Sequence, residues 1–237
     1  MTRDGNTMAV AAYYEASAAT GIDGNQTDRS IPEAGAVYVF TRSGNSWSQQ
    51  AYIKASNTGT PAVGEGFSEG DQFGYSMALS ADGNALAVGA IGEDSAATGI
   101  NGDQADNAAN QSGAAYVFTR NGSSWSQQAY VKSSMTRPNV LFGYSIGISG
   151  NGDTLAVAEF DADRGKGALY VLARSGGAWS HQARIQPESV ENGDSLGYAL
   201  AISEDGNTIA AGAADEDCVT PGVNPQGCEK DQPLDNS

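Results

Sequence analysis

Internal repetition is the feature that most limits what this chain can fold into. Residues 36–54 and 114–132 are identical at 15 of 19 positions, and residues 168–186 match the first copy at 11 positions. Each copy contains an apolar run that begins Ala-x-Tyr-Val, a Gly-containing turn and a segment that starts near a Trp. Copies that preserve the same order of segments predict a repeat architecture, in which each unit packs against its neighbours.

Two shorter motifs precede the copies. The first, of the Phe-Gly-Tyr type, occupies residues 73–80, 142–149 and 196–203. The second joins a turn such as Asp-Gly-Asn to a run such as Ala-Val-Gly-Ala, and it occupies residues 4–12, 82–90, 151–159 and 205–213. One full unit therefore reads as strand, turn, strand, loop, strand, turn and strand.

The segments have the physical pattern of strands. In one of them Trp125, Ala129 and Val131 alternate with polar residues, so that one face is mainly apolar. The Asp82-Gly83 pair is a strong hairpin signal, because Gly accepts a positive φ without steric cost. No segment shows a convincing helical period. Four antiparallel strands per unit predict an all-β fold, a β-propeller of repeated four-stranded blades. A sandwich is the weaker alternative, because its strands do not recur as near-identical four-strand cassettes.

The three motifs together resemble the FG-GAP repeat. The resemblance rests on Phe73–Ser76, followed by Ala87–Ala90 and then by Gly113–Phe118, and it extends over about residues 4–217. It implies the seven-bladed propeller of integrin α subunits and of many bacterial surface or secreted proteins. The segment Trp47–Ala51 favours the bacterial type.

The strand count predicts a partial ring. The chain, taken as one domain over residues 1–237, opens within its first unit and closes within its last, so that the units contain 3, 4, 4 and 2 predicted strands. These units occupy about residues 4–54, 73–132, 142–186 and 196–237. The expectation is a piece of a seven-bladed propeller, whose remaining blades would be its first partners and whose open edges would favour association.

The resembled family often binds calcium, but the residues of this chain support a calcium site poorly. The family often binds the ion in the hairpin between its first two strands, but here the hairpin of residues 80–85 carries one carboxylate. Calcium prefers six to eight oxygen ligands. No cofactor is therefore predicted. The remaining calcium candidates are two similar acidic loops, and the alternative for both is a solvated loop without metal. Their oxygen-bearing residues are Asp23, Asn25, Asp28, Asn101, Asp103 and Asp106.

The rare reactive residues give few catalytic options. Cys218 and Cys228 lie in a Gly/Pro-rich segment and predict a disulfide, with two free thiols as the alternative. Because disulfides persist in oxidising compartments, this predicts an extracellular, cell-surface or periplasmic location. The single histidine, His181, is interpreted as a strand-surface residue because the sister copies carry Gln there. Asp161 and Asp163, close to Arg164, form a catalytic candidate cluster, and a solvated turn is its simpler interpretation. The phosphate-binding pattern Gly-x-x-x-x-Gly-Lys is absent.

The net charge limits the classes of partner that the chain is expected to bind. The chain has 12 basic and 28 acidic residues, a net charge of −16, which argues against nucleic acid and against anionic lipid. No apolar run reaches the roughly 18 residues of a membrane helix, and no signal peptide is visible. The sequence therefore predicts a non-enzymatic, secreted or cell-surface module that binds a protein or a glycan through rim loops. The alternatives are a calcium-stabilised structural propeller, or a non-catalytic part of a larger hydrolase or lyase.

Overall fold

A computed structural model describes residues 1–59, 70–188 and 190–216 of the chain. Within these ranges the regular structure is almost entirely β. The strands are β1 Thr7–Ala12, β2 Ala36–Ser43, β3 Ser46–Ile53, β4 Phe73–Leu79, β5 Ala85–Ala90, β6 Ala114–Asn121, β7 Ser124–Val131, β8 Phe142–Ile148, β9 Thr154–Glu159, β10 Ala168–Ser175, β11 Ala178–Ile185, β12 Leu196–Ile202 and β13 Ile209–Ala213. A four-residue helical segment, α1 Ala162–Gly165, follows β9. In this part of the chain no helix is long and apolar enough to cross a membrane.

The strands form four antiparallel sheets in chain order. The first sheet is β1-β2-β3, the second β4-β5-β6-β7, the third β8-β9-β10-β11 and the fourth β12-β13. The all-β prediction is confirmed, and so are the four-stranded antiparallel units and the strand counts in the described ranges. Each sheet contacts the next one along the chain: β1 lies against β4, β5 against β8, and β8 against β12.

One contact recurs at every junction between sheets. A glycine just before the third strand of one unit pairs in parallel with the first residue of the next unit, in the pairs Gly35–Phe73, Gly113–Phe142 and Gly167–Leu196. Gly113 has a φ of +74°, and a Cβ at this position would lie 2.2 Å from the carbonyl oxygen of Phe142. The glycine is therefore required by the close approach of two backbones.

The hydrophobic core lies between the sheets. Because side chains alternate along a strand, each full sheet has a face of large residues and a face of small ones, which we call its large face and small face. The large face of the second sheet includes Leu86, Val88, Tyr116, Phe118 and Trp125, and it shares a core with Ala9, Val37, Val39 and Ala51 of the first sheet. The third sheet repeats this packing on the second with Leu155, Val157, Tyr170, Leu172 and Trp179.

The turns between the first two strands of successive units lie side by side. Ala81 donates its backbone N–H to Gly150, and Gly150 donates to Glu204, at 3.0 and 2.8 Å. The predicted turn at Asp82 is confirmed: its Oδ1 accepts the Ser80 hydroxyl at 2.6 Å. That carboxylate therefore caps its own turn.

Candidate functional site

Tyrosines of the Phe-Gly-Tyr motif line up across three sheets. Tyr75, Tyr144 and Tyr198 lie near the start of the first strand of their units. The ring centroids of Tyr75 and Tyr144 are 5.2 Å apart, and those of Tyr144 and Tyr198 are 5.8 Å apart. Tyr198 is 53% exposed, and the other two rings are half-buried. Stacking of the sheets thus converts one sequence motif into a continuous, accessible surface.

Other aromatic rings lengthen this surface. Tyr13, which follows β1, lies 5.7 Å from Tyr75, and Phe160, which follows β9, stacks on Tyr144 at 4.2 Å. Tyr14 contacts Tyr13 at 4.3 Å and is 62% exposed. We call this set the aromatic row: Tyr13, Tyr14, Tyr75, Tyr144, Phe160 and Tyr198.

A glycine positions each motif tyrosine. Gly74 has a φ of +97°, and the pairing of β4 with β5 shifts register between Phe73 and Ser76. Tyr75 therefore falls outside the ladder of paired residues, as is common at a bulge. At Gly143 a Cβ would lie 2.5 Å from the carbonyl oxygen of Ala114, so this position also excludes a side chain.

The centre of the aromatic row is uncharged. Burial, together with hydrogen bonding to the Tyr75 hydroxyl, raises the pKa of Tyr144 to about 12. The phenol therefore stays protonated at physiological pH. It contributes a flat apolar ring with a polar hydroxyl, the combination that makes tyrosine common at binding surfaces.

A cavity of about 410 Å³ adjoins the Tyr13 end of the row. Its lining is Ala11, Ala12, Tyr13, Tyr14, Glu15, Ala16 and Arg29. Glu15 Oε2 accepts hydrogen bonds from Tyr52 at 2.9 Å and from Lys54 at 3.0 Å, and Arg29 lies 3.4 Å from its other oxygen. The cavity thus combines aromatic and alanine walls with one neutralised carboxylate, a composition typical of ligand sites.

The two acidic loops that contain the calcium candidates are braced by hydrogen bonds to their own side-chain oxygens. Asp28 Oδ2 accepts the backbone N–H of Ala18 at 2.6 Å, and Asp106 Oδ2 accepts that of Ala96 at 2.7 Å. Backbone N–H groups are also bound by the other four candidates, Asp23, Asn25, Asn101 and Asp103. In the described ranges no group of three or more His, Cys, Asp or Glu side chains is arranged to hold a metal. These side chains therefore fix the shape of the two loops.

The catalytic candidate Asp163 has different partners from those the sequence indicated. Its carboxylate oxygens lie 2.7 Å from Arg137 and 2.7 Å from Arg184, and the Arg137 hydrogen bond holds its pKa below the ordinary value. The sequence grouped it with Asp161 and Arg164, its chain neighbours. A carboxylate held ionised between two guanidinium groups is poorly suited to be a general acid.

The rare residues add no catalytic arrangement in the described part of the chain. His181 lies in β11 with its ring centroid 6.0 Å from that of Tyr170, and burial lowers its pKa. Neither ring nitrogen has a hydrogen-bond partner. Cys218 and Cys228 lie outside the described residues, so their disulfide stays a prediction.

Sequence reasoning missed a buried ion pair that recurs in two units. Lys132 Nζ lies 2.6 Å from Glu93 Oε2, and the Tyr130 hydroxyl donates to Glu93 Oε1 at 2.7 Å. Burial lowers the pKa of Lys132, and Glu93 opposes this effect. The first unit repeats the arrangement with Glu15 and Lys54. The signal was available, because both Glu–Lys pairs are separated by 39 residues.

Comparison with known proteins leaves the family undetermined. No family model matches the chain, and no curated protein matches it. Among solved structures, it is similar to TolB from Acinetobacter baumannii, with 12% identity and a TM-score of 0.35 over 75% of this chain and 31% of TolB. It is also similar to a chain in a crystal structure of the mitotic checkpoint complex, with 14% identity and a TM-score of 0.34 over 76% of this chain and 58% of that one. The chain thus spans less than two thirds of either protein, and the resemblance to the FG-GAP repeat stays a prediction.

Proposed function

We propose that this chain is a non-catalytic binding module made of β-propeller blades, and that the aromatic row binds its ligand. The observation that carries the proposal is the continuous row of accessible rings across consecutive sheets. Exposed apolar patches of this kind are more often interaction sites than the rest of a protein surface is. Binding through the rim loops is the expectation from the sequence, and in two of these loops the carboxylates of Asp28 and Asp106 make internal hydrogen bonds.

The ligand that this surface fits best is an extended neutral glycan. A row that runs from sheet to sheet matches a polymer better than a compact partner. Sugar rings present apolar C–H faces, which stack on aromatic rings, and hydroxyls, which hydrogen bond with phenols such as that of Tyr144. The net charge of −16 disfavours polyanions. A glycan-binding role accords with the secreted or cell-surface setting that the FG-GAP resemblance implies.

The residues around the aromatic row support binding of a ligand without chemical reaction. Glu15, a carboxylate in the adjoining cavity, is already bound by Tyr52 and Lys54. No described His or Cys belongs to the aromatic row. We therefore expect the module to leave a bound glycan intact.

The test is calorimetry with a panel of neutral β-linked oligosaccharides. Tyr198→Ala and Tyr144→Ala should each weaken binding by roughly 2–10-fold, since an aromatic contact is worth about 0.5–1.5 kcal/mol. Met135→Ala, at a 44% exposed position outside the row, is the matched control and should bind normally. Thermal melting would show that each variant is folded.

Three outcomes would count against the proposal. Unchanged affinity in Tyr198→Ala would remove the row as the site. Binding of a proline-rich peptide in place of every oligosaccharide would assign the row to a protein ligand. Release of shortened sugars from the panel would instead support a hydrolase.

A further inference from the structure

The large face of the first sheet is uncovered. At five corresponding positions in the second and third sheets the side chains are buried, including Trp125 at 6% and Trp179 at 8% exposure. In the first sheet, Val10 is 41% exposed and Trp47 is 40% exposed. The remaining three positions are half-buried, and they hold Met8, Tyr38 and Phe40.

A specific polar contact accompanies the covered faces. Gln50 Oε1 of the first sheet accepts hydrogen bonds from Trp125 Nε1 at 3.1 Å and from Arg120 Nη1 at 3.2 Å of the second sheet. The same contact recurs one sheet further along, at 2.8 and 3.2 Å, through Gln128, Trp179 and Arg174. Two of the three junctions thus join a glutamine acceptor on one sheet to a Trp–Arg donor pair on the next.

The donor pair of the first sheet has no such acceptor. Arg42 lies over the Trp47 ring at 5.8 Å, as its counterparts do at 5.6 Å in the other two sheets. Within the described ranges Trp47 Nε1 has no hydrogen-bond partner, and Arg42 side-chain hydrogen bonds go to Asn6 alone. The first sheet therefore presents the complete donor half of the repeated junction.

The fourth sheet presents an uncovered small face, although its two described strands include no counterpart of Gln50 or Gln128. Its small face is exposed at four positions, Ala199, Ala201, Ala210 and Gly212. In the second sheet the position of Gly212 is occupied by Gly89, where a Cβ would lie 2.2 Å from the Gly143 carbonyl oxygen of the third sheet. The small face is thus the side on which the next sheet normally lies.

We propose that the chain associates head to tail, with the large face of the first sheet of one copy on the small face of the fourth sheet of another. The interface repeats the apolar packing of a large face on a small face that already joins the sheets within one chain. Because the two faces differ, the contact is heterologous and leads to a ring or an open filament. The proposal rests on the sheet faces and is independent of the aromatic row. Since each copy carries a net charge of −16, salt should strengthen the association.

Sedimentation velocity at increasing protein and salt concentrations tests this arrangement. Val10→Glu places a charge on the large face, and Ala210→Glu places one on the small face. We expect the unmodified chain to form species larger than dimers, and each variant alone to remain monomeric. An equimolar mixture of the two should form a dimer and nothing larger, because each variant keeps the face that the other has lost. Ser123→Glu, in the exposed turn between β6 and β7, adds the same charge and should associate like the unmodified chain.

Several results would overturn the proposal. A chain that stays monomeric in high salt would mean that something else covers these faces, such as a further sheet of the same type in a longer polypeptide. Association blocked by Val10→Glu but not by Ala210→Glu would indicate that two large faces pair with each other. A mixture that stays monomeric would equally exclude the head-to-tail contact. Melting curves distinguish these outcomes from loss of fold.

Discussion

Substitution of Lys132 by Met tests whether the buried ion pair ties the long acidic loop to its sheet. The side chains of Lys132 and Glu93 are 0% and 1% exposed, and their charged atoms are 2.6 Å apart. Met has similar length but no charge, so the Glu93 carboxylate would stay buried with only neutral donors, such as Tyr130 and Asn57. Breaking a buried pair on one side costs about 3–5 kcal/mol of unfolding free energy.

The first unit contains a matched control. In Lys54→Met the Glu15 carboxylate keeps a second cation, because Arg29 lies 3.4 Å from its Oε1, and it is also more exposed, at 8%. We expect this change to cost less, about 1.5–3 kcal/mol, the value of a hydrogen bond to a charged group. Urea unfolding followed by tryptophan fluorescence would measure both, with the m-value as a check on two-state behaviour.

The double variant Glu93→Gln with Lys132→Met separates charge from packing. It removes both buried charges, so it should recover most of the stability lost in Lys132→Met. If the double variant is no more stable than the single one, the loss comes from packing and the electrostatic reasoning fails. Equal costs for Lys132→Met and Lys54→Met would contradict the role given to Arg29.

Three further predictions concern glycine, a junction and pH. Gly113→Ala should prevent folding or lower the free energy of unfolding by more than about 3 kcal/mol. Gly99 has a similar φ of +76° but open space around it, so Gly99→Ala should cost only the roughly 1–2 kcal/mol of a left-handed residue. Thermal melting would compare the two variants. Gln128→Ala removes the acceptor of the buried Trp179 and the half-buried Arg174, and it should cost about 1–3 kcal/mol of unfolding free energy. Gln182→Ala, at the exposed counterpart, should be nearly neutral in urea unfolding. Burial raises the pKa of Asp71 from 3.8 to about 7, so the folded chain retains a proton there that the unfolded chain loses. The stability contributed by this proton is therefore lost as pH rises from about 4 to about 7, and Asp71→Asn should flatten that decline in unfolding curves measured across this range.

The repeats made the strands predictable. The Trp segment occurs three times with the same alternation, so that a pattern that is ambiguous in one copy is supported by the other two. The Asp82-Gly83 turn and the strand counts of the four units followed from the same comparison. Local patterns suffice for these features, because a strand and its hairpin involve residues close in the chain.

The aromatic row and the ion pairs depend on residues that are distant in the chain, and neither was predicted from the sequence. Tyr75 and Tyr144 meet only because two sheets stack, which a local pattern does not reveal. For the two acidic loops the sequence left a choice between a calcium site and a solvated loop. In the structure Asp28 and Asp106, which occupy similar positions in the two loops, make the same backbone hydrogen bond in each. Similar residues in repeated loops can therefore reflect a shared structural role, and they do not by themselves indicate a binding site.

The two proposals meet at the ends of the aromatic row. Tyr13 and Tyr14 lie at its first-sheet end and Tyr198 at its fourth-sheet end, so head-to-tail stacking of two copies would bring these ends together and lengthen the row. A long glycan would then contact several copies at once, and its affinity would exceed that of a short one through multivalency. In Val10→Glu, which blocks stacking but leaves the rings in place, short oligosaccharides should bind normally while the extra affinity for long ones disappears. Retention of that extra affinity in a monomeric variant would show that one chain holds the whole site.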